Sequence, residues 1–249
     1  MANKKYSILT YIFGNYEFVR EPLEIDNDCE YILVTDNKSL TSKNWKIVYL
    51  DSKFDGYTPI SKTFYVRYHP FDFITTDTVF LLDGSMEIRK NLNKLFKDFN
   101  NGNYDCALGT FPQPIKSIDE LYSYWIKYRN YEISQAEKSK AFLRALKVNN
   151  MSVYHETGYM LFKNNSKCLQ FLEFVYSSIK RISIAENNLD RLDQPIFNGI
   201  LYTLCNDLNV LSLSRELIQS SYIQYYKHNT LNKLVININK NFVKNMYSL

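Results

Sequence analysis

The stretch Val79-Phe80-Leu81-Leu82-Asp83-Gly84-Ser85-Met86-Glu87 decides how this chain folds. Four apolar residues in succession, bounded by turn residues, read as a strand buried on both faces. The strand opens at about residue 77 and delivers one acid, Asp83, to its carboxyl end, where Gly84 permits a tight turn. On a continued extended backbone Asp83, Ser85 and Glu87 would point the same way. Three such oxygen-bearing side chains suit a divalent cation and the pyrophosphate it neutralises, since Mg²⁺ and Mn²⁺ favour oxygen ligands and often take one or two carboxylates plus phosphate and water. Taken alone, the same stretch is an ordinary strand-ending turn.

On its N-terminal side the pattern predicts strands at 6–13, 30–35 and 45–50, then a helix over 60–73. Phe64, Arg67, Tyr68 and Phe71 share one side of that helix, and Pro70 ends or bends it. On the C-terminal side follow a helix at 91–99, a strand at 104–109 and two helices within 118–146. A strand at 153–163 carries His155-Glu156-Thr157-Gly158. Helices at 167–182 and 193–204 and a strand at 210–213 complete the series. There is no internal repeat and no Gly/Ser linker. The expected fold is α/β: a single Rossmann-like domain over 1–230 with a mixed, mostly parallel central sheet flanked by helices, then a basic and apolar tail over 231–249. In such sheets ligands bind at the carboxyl ends of the strands.

Composition narrows the function. The 249 residues carry 30 Lys and Arg against 26 Asp and Glu, a net charge of +4, with the two signs interspersed. A nucleic-acid-binding domain concentrates basic residues in a stripe, so no nucleic-acid partner is expected. A weakly basic enzyme facing phosphates or an anionic membrane surface fits. Cys29, Cys106, Cys168 and Cys205 form neither a CxxC pair nor a zinc spacing and read as reduced thiols of a cytosolic protein. No apolar run approaches the ~18 residues of a membrane span. The start Met-Ala-Asn-Lys-Lys has no apolar signal region. The expectation is a cytoplasmic protein, peripheral at most to the inner face of the membrane.

Several short segments then occur in a recognisable order: Thr10-Tyr11, Tyr31-Ile32-Leu33-Val34-Thr35-Asp36-Asn37, residues 62–70, Leu82-Asp83-Gly84-Ser85, Glu156-Thr157-Gly158 and Asp193-Gln194. Over roughly residues 5–230 this order resembles GT-A-fold glycosyltransferases. It is most similar to a bacterial and plant group of glycosyltransferase-like domains, of capsule or surface-polysaccharide type, long labelled as of unknown function.

The resemblance implies roles. Tyr11 would stack on a nucleobase beside Thr10, and Asp36 would accept a base N–H. Lys62 and Arg67 would contact a diphosphate, where fixed cations offset its charge. Asp83, Gly84 and Ser85 would form the DxD-type turn, and Gln194 would join the donor contacts. Asp83, Ser85 and His228 would hold Mn²⁺ or Mg²⁺. Ser85 departs from the motif, whose third position is an acid, and so weakens that site. Thr110-Phe111-Pro112-Gln113 stands where the group commonly has a His and an Arg, which leaves donor or acceptor preference open. The implied donor is a nucleoside diphosphate sugar, expected to be a UDP-sugar. The implied acceptor is a saccharide or lipid-linked saccharide of surface polysaccharide biosynthesis.

Sugar transfer needs a stabilised leaving diphosphate, a held sugar and, with inversion, a carboxylate that takes the acceptor proton. Asp193 is the first candidate for that carboxylate and Glu156 the second. With retention, one of them would instead orient the sugar or stabilise the oxocarbenium-like transition state. The competing reading is a non-catalytic nucleotide- or carbohydrate-binding module. The tail mixes Leu231, Leu234, Ile236 and Phe242 with Lys227, Lys233, Lys240 and Lys244. It is read either as a basic segment that docks on an anionic membrane or as a terminal element packed on the core.

Overall fold

A computed structural model of the chain describes residues 4–111, 117–129, 132–148, 151, 153–189 and 193–226. His228 and the tail at 231–249 lie outside them. Three parallel strands, β1 (Tyr6–Ile12), β2 (Cys29–Thr35) and β3 (Lys46–Tyr49), open the fold. The helix α1 (Pro59–Tyr68) leads to β4 (Thr78–Asp83), which pairs in parallel with β1 on the side away from β2. Then come β5 (Met86–Ile88), α2 (Asn93–Asn101), β6 (Cys106–Thr110), α3 (Ile118–Arg129), α4 (Ile133–Ala145) and β7 (His155–Lys163). The chain continues through α5 (Ser166–Ile182), α6 (Asp193–Thr203), β8 (Val210–Ser214), α7 (Arg215–Ser221) and β9 (Ile223–Tyr225).

The central sheet has seven strands in the order β3-β2-β1-β4-β7-β6-β8. Only β7 runs antiparallel to its neighbours. The molecule is therefore an α/β fold with a mixed, mostly parallel sheet flanked by helices, as the apolar runs predict. Strands β1, β2 and β4 are buried on both faces, which is why their sequences lack alternation. One face packs Leu9, Val34, Leu81 and Phe162 against α1, α5 and α6 through Val66, Phe171, Val175 and Phe197. The other packs Ile8, Leu33, Phe80 and Leu161 against α2 and α7 through Phe96, Phe99 and Ile218. The α3–α4 hairpin has a separate core around Leu121, Tyr122, Trp125, Ala136 and Leu143.

Two local features aim the site. Thr58 caps α1, its side chain accepting from Ser61 N, and Pro59 occupies the first turn, where its missing N–H costs nothing. The helix stops at Tyr68 because Pro70 disfavours helical backbone in the residue before it, and Pro70 itself starts a short 3₁₀ turn. From β1 the chain winds outward through β2 to β3 and then crosses back by α1 to β4 on the other side of β1, so the carboxyl ends of β1 and β4 flank the switch point where such sheets take ligands.

One expectation is corrected here. Asp83, Ser85 and Glu87 do not share a direction, because the strand does not continue past Asp83. The chain turns at Gly84-Ser85 and enters β5, which belongs to a separate two-stranded sheet with β9. Gly84 is required by space: a Cβ there would lie 2.7 Å from Tyr11 O and 2.8 Å from Ile12 Cγ1.

Candidate active site

Arg67 is the centre of the site. It is 6 % exposed, near the end of α1, and all three guanidinium nitrogens are used on three different elements. Nη2 lies 2.6 Å from Asp83 Oδ1 at the end of β4. Nη1 meets Asp193 Oδ2 in the first turn of α6. Nε donates to the Tyr11 hydroxyl of β1 at 2.9 Å, and Tyr11 donates in turn to Asp83 Oδ1 at 2.6 Å. The last bond follows from register, since Tyr11 and Asp83 are partners on adjacent strands. Tyr68 OH donates to Asp193 Oδ2 at 3.0 Å, and Thr157 Oγ1 approaches the same oxygen at 3.5 Å.

The electrostatics follow from this packing. Burial alone would push the Arg67 guanidinium down, but Tyr11, Asp193 and Asp83 around it hold it well above its ordinary value. It is a permanent cation. Burial, with Asp83 adding to it, raises the Tyr11 phenol far above its usual range, and burial with Asp193 does the same for Tyr68. Both hydroxyls therefore remain protonated donors. An arginine shared by two carboxylates is favoured in such a place because its planar fork reaches both at once.

Beside this network opens a cavity of about 240 Å³. The buried Arg67, Asp193 and Thr157 form its floor with the half-buried Asp83, the more exposed Arg215 and Tyr225 mark its outer side, and Glu156, Gln194, Phe111, Trp125 and Gln219 also line it. Ligand pockets commonly enclose about 300–1,000 Å³, so this one suits a single sugar ring better than a whole nucleotide sugar. Gly158 keeps the floor open, because a Cβ there would lie 3.3 Å from Asp83 Oδ2 and 2.8 Å from Met86 Cε. Gln194 Nε2 and Asn198 Nδ2 both donate to His155 O, and His155 N donates to Asn198 Oδ1. These bonds tie the start of β7 to α6 and so set Glu156 relative to Asp193. Glu156 Oε1 faces Arg215 Nη1 at 3.2 Å.

The candidates from sequence thus separate into two groups. Arg67, Asp83, Glu156, Asp193 and Gln194 come together around one cavity, with Gly84 in the turn that ends β4. Lys62 and Asp36 do not join them. Lys62 Nζ pairs with Asp36 Oδ2 at 2.8 Å at the end of β2, where Gly14 N also donates to Asp36 Oδ1. Lys62 and Arg67 are five residues apart and serve different acids. Tyr11 is 1 % exposed, its ring is part of the core, and no ring face is open to a base. Thr10 is buried, its Oγ1 without a hydrogen-bond partner. Ser85 is fully buried, and its Oγ is likewise unpartnered. His155 points elsewhere, lining a second cavity with Tyr202 and Cys205. Sequence reasoning missed Tyr68, Thr157, Asn198, Trp125, Arg215 and Gln219. Of these, Arg215 and Gln219 carry a usable signal, a cation and an amide four residues apart just after an apolar strand.

Among the described residues no three His, Cys, Asp or Glu side chains stand together as a metal-ligand set. Of the three carboxylates that line the cavity, Asp193 is paired with Arg67 and Glu156 with Arg215, while Asp83 gives Oδ1 to Arg67 and Tyr11 and turns Oδ2 toward Gly158. Such a set fits a cation held mainly by a ligand's phosphates, with one protein oxygen added.

No protein-family model matches the chain, and no curated protein matches it. Solved structures with a similar backbone include mouse xyloside xylosyltransferase 1 in its apo form, with 11 % identity, a TM-score of 0.47, and coverage of 84 % of this chain and 85 % of that one. Another is the galactosyltransferase LgtC in complex with donor and acceptor sugar analogues, with 14 % identity, a TM-score of 0.45, and coverage of 83 % and 72 %. A third is the glycosyltransferase GlyE of Streptococcus pneumoniae TIGR4, with 13 % identity and a TM-score of 0.43. There the match covers 86 % of this chain and 46 % of that one.

Proposed function

We propose that this protein transfers a sugar from a nucleoside diphosphate sugar to a hydroxyl of a saccharide or lipid-linked saccharide. The observation that carries the reading is the Arg67 fork joining Asp83 and Asp193 under a sugar-sized cavity at the switch point of the sheet. A binding module has no need of a buried cation between two acids, whereas group transfer needs fixed charge at the reacting centre.

The chemistry divides among the chain's own residues. The bond between the anomeric carbon and the diphosphate breaks, and its electron pair leaves on the diphosphate. The acceptor oxygen bonds to the anomeric carbon and gives up its proton. Asp193 receives Arg67, Tyr68 and Thr157 on a single oxygen, which supports a role as a fixed anion facing the positive charge that develops on the sugar. The Glu156 side chain is 16 % exposed against 9 % for Asp193, and its ion pair with Arg215, at 3.2 Å, is longer than that of Asp83 with Arg67, which supports it as the group that takes the acceptor proton. Gln194 is placed to hydrogen-bond a sugar hydroxyl. A divalent cation brought in on the donor would neutralise the leaving diphosphate, with Asp83 as its protein ligand and Ser85 and His228 as the further candidates from sequence.

UDP as the nucleotide, the surface-polysaccharide role and docking of the tail on a membrane belong to the same proposal. No helix among the described residues is long and apolar enough to cross a membrane. The test is release of nucleoside diphosphate from a panel of sugar nucleotides with Mn²⁺ and Mg²⁺ supplied. Turnover of at least one donor is expected. Saturable donor binding without turnover of any donor would favour the binding-module reading instead.

A further inference from the structure

We infer that Arg215 selects acceptors that carry an anionic group, a phosphate or a carboxylate, beside the hydroxyl that is glycosylated. The inference rests on the transferase reading above and names the substrate class of that same site.

Among the described residues two cations line the cavity, and they are differently placed. Arg67 lies on the floor, its side chain 8 % exposed, already shared between Asp83 and Asp193. An incoming anion would have to compete for it with two carboxylates already bonded to it. Arg215 stands at the outer side with its side chain 36 % exposed and one carboxylate, Glu156, at 3.2 Å. A guanidinium has five N–H donors, and one carboxylate at one nitrogen leaves most of that fork for a further anion.

The position of Arg215 is fixed by the sheet. β8 runs parallel to β6, and its last residue, Ser214, is in register with Thr110. Thr110 Oγ1 donates to Leu213 O, which pins the end of β8. The next residue is Arg215, the first of α7, and Gln219 lies one turn further along the same face. Both line the cavity, together with the aromatic residues Trp125 and Tyr225. The lining thus combines a bidentate cation, an amide and aromatic rings, a set that recognises an acidic sugar more completely than a neutral one.

The test titrates a neutral hexose, its 6-phosphate and its uronic acid into the wild-type protein and into Arg215→Gln, with binding read by calorimetry. At least one anionic form is expected to bind about tenfold or more tightly than the parent hexose, the size of a charge-assisted bidentate contact. Arg215→Gln should remove most of that advantage, and Arg215→Lys should restore part of it, since it keeps the charge without the fork. A gain for the phosphate alone identifies a sugar-phosphate acceptor, and a gain for both identifies acidic sugars in general. Equal binding of all three to the wild type, or an advantage that survives Arg215→Gln, overturns the inference. A higher donor KM in Arg215→Gln with the acceptor preference unchanged also overturns it, by assigning Arg215 to the donor. Turnover of sugar nucleotides is scored separately: its absence removes the transferase reading whatever the titrations give, and its presence beside equal binding removes only the acceptor preference.

Discussion

Arg67 Nη2 stands 2.6 Å from Asp83 Oδ1, joining the last turn of α1 to the carboxyl end of β4. The other terminal nitrogen of the same guanidinium holds Asp193 at the start of α6. One buried cation therefore fastens three elements that are far apart in sequence, at the place where the sheet changes direction.

Removing that cation is the most damaging single change expected. Arg67→Met keeps the length of the side chain but leaves Asp83 and Asp193 facing each other without compensation. Breaking a buried pair in this way costs about 3–5 kcal/mol. In a domain of this size that is a fall in Tm on the order of 6–20 °C. Thermal unfolding followed by circular dichroism measures it. An unchanged Tm would mean that the two acids do not depend on the guanidinium.

The two site glycines should behave differently under the same substitution. A methyl group at Gly84 meets the backbone oxygen of Tyr11 at 2.7 Å, and a strand cannot step aside. Gly84→Ala should therefore cost about 1–3 kcal/mol of stability. At Gly158 the nearest atom is the end of the Met86 side chain, which can move. Gly158→Ala should fold with little loss, yet it crowds Asp83 Oδ2 in the cavity floor and should lower turnover. Parallel melts and turnover assays distinguish the two, and equal stability losses would contradict the distinction.

The division of labour between the carboxylates is open to a paired comparison. Glu156→Gln should reduce turnover ~10²–10⁴-fold with donor binding little changed, as expected on loss of a proton acceptor. Asp193→Asn should reduce turnover and also lower the Tm, because Asp193 anchors Arg67 and Tyr68. A large turnover loss in Asp193→Asn with an unchanged Tm and a near-normal Glu156→Gln would reverse the roles.

His155 provides a pH test of the fold. Burial lowers its pKa below the ordinary 6.5, so the folded protein holds it neutral. Above that value folded and unfolded chains are both neutral at this residue, and its contribution is complete. As pH falls through 6.5 the unfolded chain takes up the proton first, and stability declines until the lowered folded value is reached. His155→Gln should therefore show a flatter dependence of Tm on pH below about 6.5 than the wild type does. Parallel curves would show that another group accounts for the decline.

Much of the frame was legible because buried strands declare themselves. The runs in β1, β2 and β4 are apolar without alternation, and Pro70 marks the end of α1, which stops at Tyr68 rather than running on to residue 73. Asp83 was legible as the acid at a strand end. The small β5–β9 sheet was not, because two three-residue strands distant in sequence carry no periodicity. Tyr68 was read as part of an apolar helix face, and only the structure turns its hydroxyl to Asp193. The resemblance to GT-A-fold glycosyltransferases puts Tyr11 at a nucleobase. Its register with Asp83 explains why it serves the acid instead. Lys62 and Arg67 looked like one pair of phosphate ligands, yet five residues on a helix turn them toward different strands.

The central claim is that the network of Arg67, Asp83 and Asp193 is a sugar-transfer centre, and the turnover of Asp83→Asn tests it most directly. This variant keeps the shape of the side chain and an oxygen for Arg67, and Asp83 is more exposed than Asp193 (27 % against 9 %), so the fold should survive with a smaller fall in Tm than Asp193→Asn shows. Wild-type protein should release nucleoside diphosphate from at least one sugar nucleotide, and Asp83→Asn should do so at least ~10²-fold more slowly. Near-wild-type release by a correctly folded Asp83→Asn protein would contradict the account.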